Sequence, residues 1–124
     1  MTFATKEEIE ELIEKIKSDT LLIFVEGKKD KAALEFFGIS TIIVLNGKDI
    51  WNRLEQTIAK HPGKEALILT DFDKKGKELY GKIAKNLERL GVNVNKEYRE
   101  FFQKKTKLSH VEGLVSYVRN VDGS

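Results

Sequence analysis

The sequence predicts an α/β fold: a small doubly wound, Rossmann-like parallel sheet of about four strands flanked by helices. Two observations predict it. Short runs of aliphatic and β-branched residues end at glycine, asparagine or an acid, which is typical of buried parallel strands. Between these runs, apolar residues recur at helical spacing, as in βαβ units with right-handed crossovers. We therefore expect one domain over residues 1–124, with strands at 21–25, 41–45, 66–70 and 92–94.

Capping and turn residues mark the helix boundaries. Thr5 and Glu8 form a T-x-x-E capping box before the first helix, and Ser109 and Glu112 form another before the last. Between these two capping boxes, a glycine or a Pro-Gly pair follows most helical stretches of apolar residues and indicates a helix end. We expect the intervening helices at about 28–38, at about 49–60, in the segment that ends at Gly91, and at about 98–104.

Composition limits the function classes. A net charge of +2 is too small to indicate a nucleic-acid-binding protein by itself. The sequence contains no cysteine, which excludes disulfides and thiolate metal sites and fits a reducing compartment. The N-terminus has no secretory apolar region, and no run approaches the roughly 20 apolar residues of a membrane span. We expect a soluble, cytoplasmic protein without a membrane partner.

Two acidic motifs follow predicted strands directly. Glu26-Gly27 follows residues 21–25, and Asp71-Phe72-Asp73 follows residues 66–70. The spacing of 71 − 26 = 45 residues fits two βα units, so the two strands can be neighbours whose carboxyl ends share one edge. Alternate residues of an extended segment point the same way, so both aspartates could face one divalent cation. The alternative is that Asp73 caps the next helix and Glu26 complements a helix dipole.

These motifs resemble the Toprim family. Residues 24–34, FVEGKKDKAAL, are similar to its first motif, and residues 67–76, LILTDFDKKG, to its D-x-D motif. Gly27, Gly47 and Gly76 match the family's supporting turn glycines. The resemblance implies a Toprim-type fold, Glu26 as general acid/base or metal ligand, and Asp71 and Asp73 as ligands of one or two Mg²⁺ ions, which Mn²⁺ can replace.

The resemblance is closest to the small single-domain Toprim proteins, with likeness to the rRNA-maturation nuclease that includes Val111-Glu112. Lys75 stands where topoisomerases usually have an acid, so the metal here is expected to bind less tightly or only with substrate. We interpret Glu112 first as a capping acid, and Asp30 first as a surface salt-bridge partner. Arg99 could flank the site, although no geometric argument places it there.

Six lysines follow the two acidic motifs and could contact the phosphates of a nucleic acid on either side of the scissile one. The alternative is ordinary solvated helix surface. The aromatic residues Phe36, Phe37, Trp51 and Phe72 are expected mainly in the core. The candidate nucleic-acid-binding residues are Lys28, Lys29, Lys31, Lys74, Lys75 and Lys77.

The leading functional hypothesis is Mg²⁺-dependent phosphoryl transfer on DNA or RNA, most simply phosphodiester hydrolysis by a nuclease or RNA-processing enzyme. A second hypothesis is a non-catalytic module that binds metal and nucleic acid, with a protein partner in a processing complex. A third is a phospho-aspartyl phosphatase or receiver-like domain, which also places acids at strand ends. The D-x-D motif lies on the third strand and is followed by lysines, which argues against this third class.

Overall fold

The computed structural model describes residues 2–121, which have the predicted α/β fold around one parallel sheet. Four strands lie in the order β2-β1-β3-β4. They are β1 (Leu22–Val25), β2 (Ile42–Val44), β3 (Ala66–Ile68) and β4 (Val94–Asn95). The helices are α1 (Lys6–Ser18), α2 (Lys28–Phe36), α3 (Ile50–Lys60), α4 (Lys74–Arg89), α5 (Glu97–Lys105) and α6 (Leu114–Asn120), with a 3₁₀ turn at Val111–Gly113.

Strand β1 is central and pairs in parallel with both β2 and β3. Ile23 of β1 lies opposite Ile42 on one side and Leu67 on the other. The predicted neighbourhood of β1 and β3 is therefore confirmed. Since both strands run in the same direction, the segments that follow Val25 and Ile68 leave the sheet at the same edge.

Both faces of the sheet are covered, and the side chains of β1 divide between them with a period of two. Ile23 and Val25 belong to the larger core, which the sheet shares with α1, α2, α5 and α6. Leu22 and Phe24 belong to the smaller core, against α3 and α4. All four side chains are at most 1% exposed. This explains why the strands are continuously apolar rather than alternating.

Several local predictions are confirmed and others are wrong. The capping box of Thr5 and Glu8 is present, with both hydrogen bonds formed. The box expected at Ser109 and Glu112 does not form, because the chain makes a 3₁₀ turn there and the Ser109 hydroxyl instead lies 2.9 Å from His110 Nδ1. Phe36 and Trp51 were expected in the core, but they lie on the outer sides of α2 and α3 and are 64% and 40% exposed. Within residues 2–121, no helix is both long and apolar enough to cross a bilayer.

Candidate active site at the carboxyl edge of the sheet

Glu26 and Asp71 meet where β1 and β3 end. The backbone N–H of Asp71 donates a hydrogen bond of 2.8 Å to Glu26 Oε2. Asp71 Oδ1 in turn accepts a hydrogen bond of 2.9 Å from the N–H of Val111, at the start of the 3₁₀ turn. One oxygen of each carboxylate is thereby fixed by the backbone. Glu26 Oε1 and Asp71 Oδ2 have no hydrogen-bond partner among residues 2–121.

The same edge holds an open cleft in which most of the side chains are charged. Glu26 and Asp71 line it together with two further acids, Asp30 and Glu112, and with Asn46 from the loop after β2. Gly47 next to Asn46 has φ of +83°, which turns this loop and favours glycine. The cleft is completed by Gly27, Lys28 and Lys29.

Asp73 does not line this cleft. Its Oδ1 accepts a hydrogen bond of 2.8 Å from the N–H of Gly76, so Asp73 is the N-cap of α4. Its Oδ2 lies 3.4 Å from His110 Nε2. Strand β3 stops at Ile68, so Asp71 and Asp73 do not belong to one extended segment and need not point the same way. The structure thus brings together two of the three predicted ligands, and a ligand role for Asp73 stays a prediction.

Asp30 is buried rather than placed in a surface salt bridge, so the first interpretation of this residue is wrong. It is only 7% exposed, and its Oδ2 accepts a hydrogen bond of 3.0 Å from the N–H of Gly27. Burial raises the pKa of Asp30, and the nearby charge of Asp71 raises that pKa further. Gly27 itself is extended, with φ of −145°, so this turn does not require a positive φ.

Gly76 is required by a close backbone approach. A Cβ atom at this position would lie 2.0 Å from the carbonyl oxygen of Asp71. The Thr70 hydroxyl also donates a hydrogen bond of 2.8 Å to the Gly76 carbonyl. The first turn of α4 is therefore packed directly against the loop that carries Asp71. This gives a physical reason for glycine at the position where the Toprim resemblance expects one.

A buried arginine holds the other side of this loop. Arg99 of α5 is 1% exposed, and its Nη1 donates hydrogen bonds of 3.1 and 2.8 Å to the carbonyls of Ile68 and Thr70. Its Nη2 donates to the carbonyl of Asp71 at 2.9 Å. Burial lowers the pKa of Arg99 to about 10, which leaves the guanidinium charged at neutral pH. Arg99 thus determines the path of the chain into the site without lining the cleft.

Phe72 supports Arg99 instead of offering a stacking surface to a ligand. The ring is 6% exposed and lies 5.7 Å from the ring of Phe102, between centroids. The Arg99 guanidinium carbon lies 4.9 Å from the centroid of Phe72 and 4.5 Å from that of Tyr80. The core interpretation of Phe72 is confirmed.

The six candidate lysines are distributed unevenly about the site. Lys28 and Lys29, at the start of α2, line the cleft and are exposed. Lys31 is half-buried one turn later. None of the six forms a salt bridge with another described residue. The three lysines of α4 are exposed on its first turns but do not line the cleft: Lys74, Lys75 and Lys77.

The oxygen donors of the cleft suit a divalent cation that needs few protein ligands. Across residues 2–121, no group of three acidic or histidine side chains is already assembled as a metal cage. Mg²⁺ does not need one, because it commonly uses one or two carboxylates, retained waters and substrate phosphates. Glu26 and Asp71 supply two hard carboxylate ligands, each with one oxygen available, so the residues fit Mg²⁺ that binds with few protein ligands.

Comparison with known proteins identifies relatives along most of the chain. No family model matches the sequence. A UPF0292 protein from Methanocaldococcus jannaschii is 35% identical over 115 residues, which covers 90% of this chain and 88% of the relative. A UPF0292 protein from Thermococcus sibiricus is 31% identical over 103 residues, which covers 80% of each chain. The solved structure of a protein from Aquifex aeolicus superposes with a TM-score of 0.75 at 30% identity, covering 84% of this chain and 95% of that one. The chain belongs to the UPF0292 family.

Proposed function

We propose that this protein is a Mg²⁺-dependent phosphoryl-transfer enzyme that acts on nucleic acid, and that it hydrolyses a phosphodiester. One observation carries the proposal: Glu26 and Asp71 extend from neighbouring parallel strand ends into one cleft and are coupled through the Asp71 N–H at 2.8 Å. The Toprim resemblance assigns these positions to proton transfer and metal binding. Lys28 and Lys29 at the rim supply positive charge for a phosphate backbone.

The two carboxylates would have different roles. Mg²⁺, when bound, supplies charge neutralisation at the scissile phosphate and lowers the pKa of a water. Asp71, fixed by Val111, would present Oδ2 to the cation. Glu26, fixed through Oε2, would use Oε1 to exchange a proton with the reacting oxygen. Because the backbone already orients both side chains, little reorganisation is needed when substrate binds.

The charge of the cleft makes substrate binding dependent on metal. Four carboxylates and two lysines line it. Without a cation, this excess of negative charge repels a polyanion. The pKa of Asp30 is raised first by burial and then by the charge of Asp71, so these two acids also oppose one another. Nucleic acid should therefore bind at the cleft only together with a divalent cation. This agrees with the expectation that the metal is held weakly before substrate arrives.

Cleavage assays with pure protein test the proposal. Labelled single- and double-stranded DNA and RNA would be incubated with Mg²⁺, Mn²⁺ or EDTA. Glu26→Gln keeps the shape but cannot titrate, so the rate should fall by about 10²–10⁴-fold with little change in affinity. Replacing Lys28 and Lys29 by glutamine should weaken binding and flatten its salt dependence by about one unit of slope for each lost phosphate contact. Metal-dependent cleavage that persists unchanged in Glu26→Gln would indicate a contaminating nuclease and contradict the proposal.

A non-catalytic metal- and nucleic-acid-binding module is the second candidate. It is favoured by the position of Asp73, which caps α4 outside the cleft and so leaves the cleft with two of the three carboxylates that the Toprim resemblance implies. The same assays separate the two functions. If wild type cleaves none of the substrates, yet the glutamine variant of Lys28 and Lys29 still loses metal-dependent binding, the binding-module function holds and the enzyme function fails.

A further inference from the structure

A basic groove on the outer surface of α3 and α4 contains an exposed aromatic ring. The groove is lined by Trp51 and Glu55 of α3 and by Lys82, Lys85, Asn86 and Arg89 of α4. Trp51 is 40% exposed, whereas Leu54, three residues later on the same helix, is fully buried in the core. Leu54 thus anchors α3 to the sheet, and the exposed part of the indole ring is available to a ligand.

The cations of this groove form one stripe along α4. Lys82, Lys85 and Arg89 are spaced i, i+3 and i+7, which places them on one helix face. Within residues 2–121, none of the three forms a salt bridge. Arg89 Nη2 donates a hydrogen bond of 2.6 Å to Asn86 Oδ1, which orients the guanidinium. With Glu55 opposite, the groove keeps an excess of positive charge beside the ring.

We infer that this groove binds single-stranded nucleic acid, with a base stacked on Trp51 and backbone phosphates on the cations of α4. A flat ring beside a line of cations is the arrangement that recognises a single strand. At about 1.5 Å per residue, Lys82 and Arg89 are separated by about 10 Å along the axis, and a stacked strand offers a phosphate about every 3.4 Å. A duplex keeps its bases stacked internally, and a segment of acidic residues offers no aromatic ring to stack on the indole.

The groove is a separate site from the cleft at the carboxyl edge, since the two share no lining residue. The inference shares its class of partner with the proposed function but does not depend on catalysis. A nuclease with such a groove would hold a single-stranded part of its substrate away from the scissile bond. A binding module would use it directly.

The test exploits the fact that Trp51 is the only tryptophan in the chain. Indole fluorescence would be titrated with a single-stranded oligonucleotide of about six nucleotides, within the usual range of such sites. Saturable quenching is expected. The slope of log K against log salt should be about −2 for three phosphate contacts and should approach −0.7 in the Lys82→Gln, Lys85→Gln variant.

Anisotropy of a labelled oligonucleotide measures the stacking itself. Trp51→Ala should weaken binding by about 5- to 150-fold, and Trp51→Phe should retain most of the affinity. Phe36→Ala is the matched control, since Phe36 is 64% exposed on α2 and lies outside the groove. Its affinity should equal that of wild type, and thermal melts would check that each variant is folded.

Three results would overturn the inference. The first is no quenching by any single strand. The second is equal quenching by poly-glutamate, which would assign the groove to an acidic protein segment, and the third is unchanged affinity in Trp51→Ala. Failure of this inference is distinguishable from failure of the proposed function. Metal-dependent cleavage without quenching would refute only the binding role of the groove, and quenching without cleavage would refute only the enzyme function.

Discussion

Replacing Arg99 by methionine should destabilise the protein and loosen the loop that carries Asp71. Arg99 donates three hydrogen bonds to the carbonyls of Ile68, Thr70 and Asp71. A hydrogen bond to a charged group contributes about 1.5–3 kcal/mol, so the three contribute about 4–9 kcal/mol. Burial opposes this by lowering the pKa of Arg99 from its usual range to about 10. At about 1.4 kcal/mol per pKa unit, the opposing free energy is about 3 kcal/mol.

The expected net loss for Arg99→Met is therefore about 1–6 kcal/mol, a large part of the 5–15 kcal/mol that stabilises a typical domain. Urea unfolding measures this loss, with Arg119→Met as control because Arg119 is an exposed arginine on α6. Amide hydrogen exchange measures the local effect. The N–H groups of Asp71 and Val111, which hold Glu26 and Asp71 in place, should exchange faster in Arg99→Met under native conditions. Equal unfolding midpoints for the two variants, with unchanged exchange at Asp71, would refute the positioning role of Arg99.

Three further predictions concern the site. Asp30→Asn should be more stable than wild type at neutral pH without metal, because the raised pKa of Asp30 means that its ionisation opposes folding. The difference in stability should close as pH falls below about 4, where Asp30 is protonated in both the folded and the unfolded protein. A pH-independent difference in urea midpoints would contradict this. Gly76→Ala should lower the free energy of unfolding by about 1–3 kcal/mol, because the new Cβ meets the Asp71 carbonyl. Gly81→Ala, which lies in open space on the same helix, should raise it by about 0.5–1 kcal/mol. Equal thermal shifts in the two variants would argue against the close approach at Gly76. Asp73→Ala should lower the free energy of unfolding by about 0.5–2 kcal/mol, because it removes the N-cap of α4, whereas Asp73→Asn should lower it little. Equally large losses of stability for both variants in thermal melts would point away from capping.

The sequence predicted the adjacency of the two acidic motifs because that adjacency follows from topology. Short apolar strands and a 45-residue spacing require Glu26 and Asp71 to leave the sheet at one edge once the strands are neighbours. The direction of Asp73 could not be predicted in the same way. It depends on β3 ending at Ile68, and strand ends are the least certain part of a sequence-based assignment.

Asp30 and Arg99 show two different reasons why parts of the site were missed. The position of Asp30, three residues after Gly27 at a helix start, is the spacing at which a side chain reaches back to a backbone N–H, so that hydrogen bond could have been found. Arg99 bonds carbonyls that lie 28 to 31 residues earlier in the chain. Helical periodicity carries no information on such contacts, and an arginine on an amphipathic helix is ordinarily exposed.

Paramagnetic broadening by Mn²⁺ tests the central claim, a divalent-cation site between the ends of β1 and β3, most directly. In amide spectra of the pure protein, sub-stoichiometric Mn²⁺ should first broaden the signals of residues that line the cleft, namely Gly27, Asp30, Asp71 and Glu112. Excess Mg²⁺ should reverse the effect, and Asp71→Asn should abolish it. A cation site between β1 and β3 is contradicted if the amide signals of the cleft stay sharp in wild type. It is also contradicted if broadening centres on the acidic surface of α1 around Glu7, Glu10, Glu11 and Glu14.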